Sequence, residues 1–121
     1  GHHFPLHSAA PAKAMLAFLP EERLERLIRE IRFTPFTKNT IRNERDFRKE
    51  LEEIRKSGIA YDRGEELEDL RCVAAPVLDS RRNSTAAVWV SGPASRLSKD
   101  KLKTIAAQIK KTAEQISRKL Y

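Results

Sequence analysis

The first candidates for chemistry in this 121-residue chain are its single cysteine, Cys72, and its three histidines. A thiol beside an imidazole base can act as a nucleophile, and Cys72 with His7 is the pair that this chain offers. Such a pair needs hydrogen-bond contact and an activated thiolate. Cys72, however, opens the apolar run at residues 72–78, where a thiol is usually inert. The sequence therefore predicts no catalytic centre and no enzymatic activity.

The histidines are also candidate metal ligands. His2, His3 and His7 lie close together in the sequence, but no acidic or thiol side chain stands at helical or turn spacing from them. A zinc site needs three or four such ligands around one point. The pattern predicts no metal site and no cofactor.

The basic residues make nucleic acid the next partner to consider. Lys and Arg number 24 against 17 acidic residues, and the net charge is +7. Eight basic residues and only two acids fall within residues 96–121. In that segment an apolar stripe recurs at spacings of three and four: Leu102, Ile105, Ala106, Ile109, Ala113, Ile116 and Leu120. The lysines then occupy the solvated face of one amphipathic helix, with phosphate binding as the alternative. Because no aromatic residues interleave the charges, we expect no direct nucleic-acid binding here.

Membrane insertion and secretion find no support in the sequence. The longest apolar runs, such as residues 72–78, fall far short of the roughly 20 residues that a membrane span needs. No cleavable signal pattern opens the chain, and a lone cysteine excludes an internal disulfide. We therefore expect a cytoplasmic protein with residues 1–121 forming a single domain.

Two short helices are predicted near the start of the chain. Ser8 is a plausible N-cap for a helix that extends to about Phe18, with Pro11 tolerated in its first turn. A second helix is predicted to begin at Pro20 and to end before Pro35. Residues 34–42 show no periodicity and are interpreted as a loop.

Two longer helices follow. Asn43 and Asp46 resemble a capping box for a third helix that ends at Gly58 and buries Phe47, Leu51 and Ile54. The apolar stripe predicts a fourth helix over residues 98–120.

Between these helices the period changes from 3.6 to 2, which is typical of β-strands. Strands are predicted at residues 59–62, 72–78 and 85–90, and the polar loop at residues 79–84 joins the last two into an antiparallel hairpin. Pro76 cannot donate to a strand ladder, so we expect an edge or a bulge at that position. The element order predicts an α+β domain with an antiparallel sheet.

Alternation assigns the strand residues to two faces. One face is apolar, and we expect the fourth helix to cover it: Ile59, Tyr61, Val73, Ala75, Val77, Ala86, Val88 and Val90. The other face combines small residues with polar and sulfur groups: Ala60, Asp62, Cys72, Ala74, Ala87, Trp89 and Ser91. Small residues leave space, so the second face predicts the floor of a small-molecule pocket. The alternative is that the first two helices fill this space and that Asp62 and Ser91 are capping or turn residues.

Six segments match, in order, those of a known family: Pro-Leu-His-Ser at 5–8, Lys-Ala-Met-Leu-Ala at 13–17, Thr-Pro-Phe-Thr at 34–37, Gly-Ile-Ala-Tyr-Asp at 58–62, Leu-Arg-Cys-Val-Ala-Ala-Pro-Val at 70–77 and Val-Ser-Gly-Pro-Ala-Ser-Arg-Leu at 90–97. Over nearly its whole length the chain resembles the C-terminal effector-binding domain of the IclR family of bacterial transcription regulators. The last two segments are the most specific.

This resemblance implies a GAF-like sensor domain that binds a small organic effector and passes the signal to a winged helix-turn-helix. The resemblance also implies that this DNA-binding domain, and the first helix and strands of the sensor domain, are absent from the sequence. DNA would then be a partner only through the missing domain. Regulators of this family work as homo-oligomers, either dimers or tetramers.

The family's pocket positions correspond to Asp62, Cys72 and Ser91, and the helix start that faces the pocket corresponds to Ala9, Ala10, Pro11 and Ala12. The sequence departs from the family in three places. Ala12 stands where glycine is usual, Pro11 lacks the usual N–H, and Trp89 replaces a small hydroxyl residue.

These departures change the ligand that we expect. With fewer polar donors and a larger apolar wall, we predict a flat, largely apolar or aromatic effector stacked on Trp89, with Ser91 and Asp62 orienting a hydroxyl or amine. The alternative function is a structural oligomerisation module whose pocket is filled by Trp89.

Overall fold

The computed structural model describes residues 5–121 and confirms the α+β class. Four helices surround a three-stranded antiparallel sheet in the order β1-β2-β3. The elements are α1 Ala10–Leu16, α2 Glu21–Glu30, α3 Glu44–Ser57, β1 Ala60–Arg63, β2 Leu70–Leu78, β3 Ser84–Pro93 and α4 Lys99–Leu120. No helix of this part of the chain is long and apolar enough to cross a membrane.

The start of α1 differs from the prediction. Its N-cap is Ala9, no side chain caps the helix, and Pro11 lies in the first turn. The Ser8 hydroxyl instead lies buried without a hydrogen-bond partner in the described structure. Ser8 is one residue too early to cap a helix that begins at Ala10, so its prediction as N-cap is wrong.

The predicted capping of α3 is confirmed. Asn43 Oδ1 accepts a hydrogen bond from the Asp46 backbone N–H at 2.9 Å, which satisfies one of the unpaired donors of the first turn. At the other end, Gly58 adopts a left-handed conformation with φ 75° and donates its N–H to Ile54. Asn43 and Gly58 thus define the two ends of α3 through contacts within one helical turn, as helix caps do. The apolar face of α3 is buried at Phe47, Leu51 and Ile54.

The hairpin of β2 and β3 is also confirmed, with Val73 opposite Val90 and a register shift between Val77 and Leu78. Pairing of β1 to β2 reaches only as far as Ala74. Pro76 therefore lies where the central strand has a neighbour on one side alone, next to the bulge, which agrees with the expectation for a residue without an N–H.

The two faces of the sheet contribute to two separate cores. One core contains Val73, Ala75 and Val77 packed against α4, and Ile109 of α4 is only 6% exposed. The other contains Ala60, Cys72 and Ala74 packed against α1 and α3. The division by alternation is confirmed except at Ala86 and Val90 of β3, which are both exposed, Val90 by 37%. Val90 stays exposed because α4 covers the central strand β2 more fully than it covers β3.

Candidate functional site

The predicted effector-binding residues of the sheet lie in adjacent cross-strand rows. Asp62 of β1 pairs with Cys72 of β2, which pairs with Ser91 of β3. In a neighbouring row, Ala74 pairs with Trp89. Residues directly opposite one another on antiparallel strands share a face, with Cβ atoms about 5 Å apart. The sheet therefore brings Asp62, Cys72 and Ser91 together as the sequence predicts.

The solvent exposure of the side chains increases along these rows from β1 to β3. Asp62 and Cys72 are buried, whereas Ser91 is exposed and Trp89 is 54% exposed. The cover over β1 and β2 is α1, whose Ala10 and Ala14 pack into the same core as Cys72 and Ala74. Because all four residues are small, helix and sheet approach closely and the space above β1 and β2 is filled. The helix α1 also contacts β3, so the open part of this face is limited to Trp89 and Ser91 of that strand.

The carboxyl group of Asp62 is held by the loop that follows β1. Asp62 Oδ1 accepts the Glu65 backbone N–H at 2.8 Å. Burial raises the pKa of Asp62, while the Glu65 N–H and the charges of Lys13 and Arg71 act in the opposite direction. Asp62 thus has the turn role that the sequence left open.

Cys72 is not an activated thiol. Burial and the neighbouring Asp62 carboxyl raise the pKa of Cys72 to about 12, so the side chain is a neutral thiol at physiological pH. The proposed base is engaged elsewhere: the His7 Nε2 atom lies 3.0 Å from the Thr34 carbonyl oxygen, and its ring stacks on Phe36. Cys72 and His7 therefore do not form a nucleophile and base pair.

The start of α1 offers few donors to a ligand. The Ala9 N–H is already bonded to the Pro5 carbonyl at 3.3 Å, and Pro11 has no N–H. Ala10 lies within the core with no exposed surface. Of the four positions from Ala9 to Ala12, Ala9 and Pro11 therefore offer no free N–H. A seven-residue helix with this start is a poor anion site.

A buried ionic cluster beneath α1 escaped the sequence analysis. The Lys13 side chain is fully buried, and its Nζ donates to Glu50 at 2.6 Å, to both oxygens of Glu65 at 2.9 and 3.0 Å, and to the Tyr61 carbonyl at 2.6 Å. Lys13 ties α1 to α3, β1 and the loop after β1. The sequence does contain an indication that Lys13 is buried, because Lys13 lies on the same helical face as the core residues Ala10, Ala14 and Ala17.

Within this cluster, burial raises the pKa of Glu65 to about 7, even though the charge and hydrogen bonds of Lys13 favour the ionised form. The sequence analysis placed Glu65 in an acidic connector, where a solvated carboxylate is usual. The loop at residues 34–42 covers it: Thr40 donates its hydroxyl to the Glu65 carbonyl, and Thr37 donates to Gly64 at 2.6 Å.

Metal ligands are not assembled in the described residues. Within residues 5–121, no group of three His, Cys, Asp or Glu side chains could hold an ion. His2 and His3 lie outside the described residues.

The geometry can be set beside known proteins. A family model described as "Bacterial transcriptional regulator IclR C-terminal" matches residues 1–118. The transcriptional repressor IclR of Escherichia coli K12 is 32% identical over 117 residues, which are 97% of this chain and 43% of the repressor. The chain thus spans less than half the length of the curated relatives that it matches.

Solved structures show the same likeness. The crystal structure of the Thermotoga maritima IclR is 39% identical with a TM-score of 0.87, covering 95% of this chain and 47% of that protein. The C-terminal domain of the E. coli transcriptional regulator KdgR is 29% identical, also with a TM-score of 0.87, and the match covers 98% of this chain and 72% of that domain.

Proposed function

The chain belongs to the IclR family of bacterial transcription regulators, as a C-terminal regulatory domain, and from this we propose that it senses a small organic effector. The effector would contact Trp89 and Ser91 at the exposed end of the sheet. It would reach the buried Asp62, Cys72 and Ala10, with Ala9 and Pro11 at the start of α1, only if α1 moved away from the sheet. The curated relatives are named as transcriptional repressors and not as enzymes, which supports a regulatory role without catalysis.

One observation carries this proposal: a polar row crosses all three strands and runs from beneath α1 to an exposed end. Asp62 and Cys72 form the buried end, and Ser91 forms the exposed end beside the row of Trp89. A ligand lying over β3 would touch the exposed side chains and reach the edge of α1. A movement of α1 would then be transmitted to α3 and β1 by the hydrogen bonds that Lys13 donates to Glu50 and to the Tyr61 carbonyl.

The chemistry of this surface favours a flat, largely apolar or aromatic effector. An acid would need free backbone N–H groups at the start of α1, where Ala9 and Pro11 offer none. Trp89 presents an exposed ring for stacking, which contributes about 0.5 to 1.5 kcal/mol beyond the burial of area. The Ser8 hydroxyl, buried and without a partner among the described residues, is a further polar group close to α1.

We further propose that residues 1–121 act as one sensing domain of a cytoplasmic homo-oligomeric regulator, whose operator DNA is bound by a domain outside this sequence. The effector would act by changing the affinity of that domain for DNA. The lysine face of α4 then has no necessary role in reading the operator.

A structural oligomerisation module would require Trp89 to fill the pocket. With more than half of its surface exposed, Trp89 is not packed as a plug, and this favours the sensor.

The proposal is tested by titrating the protein with a panel of aromatic and aliphatic carboxylates and amines while recording fluorescence from Trp89, the single tryptophan. We expect saturable quenching by aromatic compounds and little response to small aliphatic acids. A panel that gives no saturable response, by fluorescence or by calorimetry, would count against a sensor at this face.

The variant Trp89→Ser sharpens the test and is measured by calorimetry. Losing the stacking surface should weaken an aromatic ligand about tenfold and leave a small acid unaffected or improved. A matched control is Thr85→Ser, on the same strand, which should leave both affinities unchanged. If Trp89→Ser instead opens binding to ligands that the unaltered protein rejects, Trp89 is a plug and the structural module is favoured.

A further inference from the structure

A second cleft lies between the end of α3, the far half of β2 and the last turns of α4. Its volume is about 440 Å³, and its lining includes none of Asp62, Cys72, Trp89 and Ser91. The cleft opens beside the part of β2 that extends beyond β1, since β1 pairs only up to Ala74. Its floor is apolar and includes Phe18, Ala75, Pro76, Leu78 and Ala113.

Positive charge converges on this cleft from three separate elements. Five cationic side chains line it, against two acids: Arg55, Lys56, Arg82, Lys110 and Arg118, with Asp79 and Glu114. Asp79 is already engaged, because its Oδ1 accepts the backbone N–H groups of Arg81 and Asn83 at 2.8 and 3.0 Å. An adjoining cavity of about 330 Å³ shares Phe18, Arg55 and Arg82 and adds Arg81.

The five cleft cations, four of them exposed, have no acidic partner, as is true of most basic residues in the described part of the chain. Lys13 and Arg48 form ion pairs at 2.6 and 2.7 Å. None of the five cleft cations forms an ion pair within residues 5–121. The carboxyl ends of α3 and α4 oppose this charge by roughly half a unit each. The five cations exceed the two acids by three charges. The helix ends offset about one of these three, so the cleft remains positive.

Two of the cations are placed by local backbone features. Arg82 has φ 63°, the left-handed conformation that closes this hairpin turn, where its N–H donates to the Asp79 carbonyl at 3.0 Å, as is common in short β-hairpin loops. Lys110 crosses over Gly58, where an added Cβ would meet Lys110 Cε at 3.2 Å. The absent side chain at Gly58 allows the lysine to lie along the cleft wall.

We propose that this cleft binds a small molecule carrying at least two linked phosphate groups, with the phosphates between Arg55, Arg82 and Lys110 and an apolar portion against Phe18 and Pro76. Arginine and lysine are the side chains that bind phosphate best. A concave space of this size matches small-molecule sites, which span roughly 300 to 1,000 Å³. A DNA duplex is convex and would contact only the rim. The site is independent of the proposed effector site.

The test is a calorimetric titration of the whole chain with inorganic pyrophosphate, orthophosphate and ADP at low salt, about 50 mM, where charge interactions are least screened. We expect one saturable site, with pyrophosphate bound at least about tenfold more tightly than orthophosphate because it spans two cations. ADP should bind at least as tightly as pyrophosphate, since its adenosine can cover the apolar floor.

A matched pair of variants locates the site on α4. Lys110→Gln should weaken pyrophosphate about tenfold, because a charge-assisted contact is lost. Lys111→Gln removes the same charge from the next residue, which is exposed and does not line the cleft, and should change affinity by less than about twofold.

The variant Arg82→Gly distinguishes a loss of pyrophosphate binding from a loss of stability. Glycine accepts the left-handed backbone, so the variant should keep or raise the melting temperature. The same variant should weaken pyrophosphate about tenfold, because one phosphate contact is removed.

Absence of saturable pyrophosphate binding would overturn the proposal, and so would equal losses in Lys110→Gln and Lys111→Gln. A short DNA duplex that binds, is weakened by Lys110→Gln and is not displaced by pyrophosphate would overturn it in favour of a nucleic-acid surface. Trp89 does not line this cleft, so Trp89→Ser should leave pyrophosphate binding unchanged. A failure of the pyrophosphate proposal would therefore leave the proposed effector site untouched.

Discussion

Lys13 is a fully buried cation, and its contacts explain how the core tolerates the charge. Removing an ammonium group from water is costly unless hydrogen bonds and opposite charges replace the solvent. Glu50, Glu65 and the Tyr61 carbonyl supply these replacements at 2.6 to 3.0 Å. The cluster joins four parts of the chain, so its role is to fix how α1 sits on the sheet.

We predict that Lys13→Met lowers the free energy of unfolding by about 3 to 5 kcal/mol, because it leaves Glu50 and Glu65 without their shared cation. Urea unfolding followed by circular dichroism measures the loss. Lys49→Met, at an exposed position of α3, is the control and should change stability by less than about 0.5 kcal/mol. A Lys13→Met variant as stable as the control would contradict this role of the cluster.

Glu65 should make stability depend on pH. Burial raises the pKa of Glu65 from its ordinary 4.5 to about 7 in the folded protein, so the folded state holds this proton more tightly. The resulting stability is fully present below about pH 4.5 and is lost as the pH rises through about 7. The loss from this group is at most about 3 kcal/mol.

We predict that Glu65→Gln, which cannot ionise, flattens stability over this pH range. Urea unfolding at several pH values between about 4.5 and 8 gives the slopes. Glu68→Gln, at an exposed position of the same loop, should keep the slope of the unaltered protein. If the two variants show the same slope, Glu65 does not titrate in this range.

At the scale of elements, α4 and the sheet are held together by one apolar interface. Ile109 lies in its middle, packed in the core that contains Val73 and Val77. We predict that Ile109→Ala costs about 2 to 4 kcal/mol of unfolding free energy, from lost burial and the cavity that remains. Chemical denaturation measures the change.

The matched control is Gln108→Ala, one residue earlier on the exposed face of α4, where a change within about 0.5 kcal/mol is expected. A loss below that value for Ile109→Ala would be incompatible with the observed packing.

The same elements show where alternation fails. Val90 belongs to the apolar face by register, yet α4 leaves it 37% exposed. Alternation assigns a face, but only the position of the covering helix decides how far along the sheet that face is buried. Both faces of β3 are therefore only partly covered by helices. This exposure bears on whether the chain associates with a second copy of itself.

At the scale of the whole molecule, β3 ends the described sheet and pairs with β2 alone. Its outer edge carries unpaired backbone groups within residues 85–92, beside the exposed side chains of Trp89 and Val90. Such edges recruit another chain unless they are covered. We predict that this chain self-associates at micromolar concentrations, and sedimentation velocity checks it.

Val90→Lys should shift the sedimenting species toward monomer, because a charge on an edge strand opposes pairing. Thr104→Lys, on the exposed face of α4, adds the same charge elsewhere and should not. A chain that is monomeric throughout the concentration range would contradict self-association of this sequence.

Much of the architecture followed from local signals in the sequence. Asn43 and Gly58 mark the ends of α3 because capping depends on residues within one turn. The strands and their faces followed from alternation, because register places every second side chain on the same side. The row of Asp62, Cys72 and Ser91 could be predicted for that reason, and the sequence motifs indicated the family.

Only the tertiary structure decided what lies against that row. Small residues at Ala60 and Ala74 are equally compatible with an open pocket and with a closely packed helix, and α1 turned out to cover them. Lys13 and Glu65 looked like solvated charges until the fold brought their chain segments together. Burial, pairing and pKa depend on neighbours that are distant in sequence, as Lys13 and Glu65 are, so no local pattern determines them.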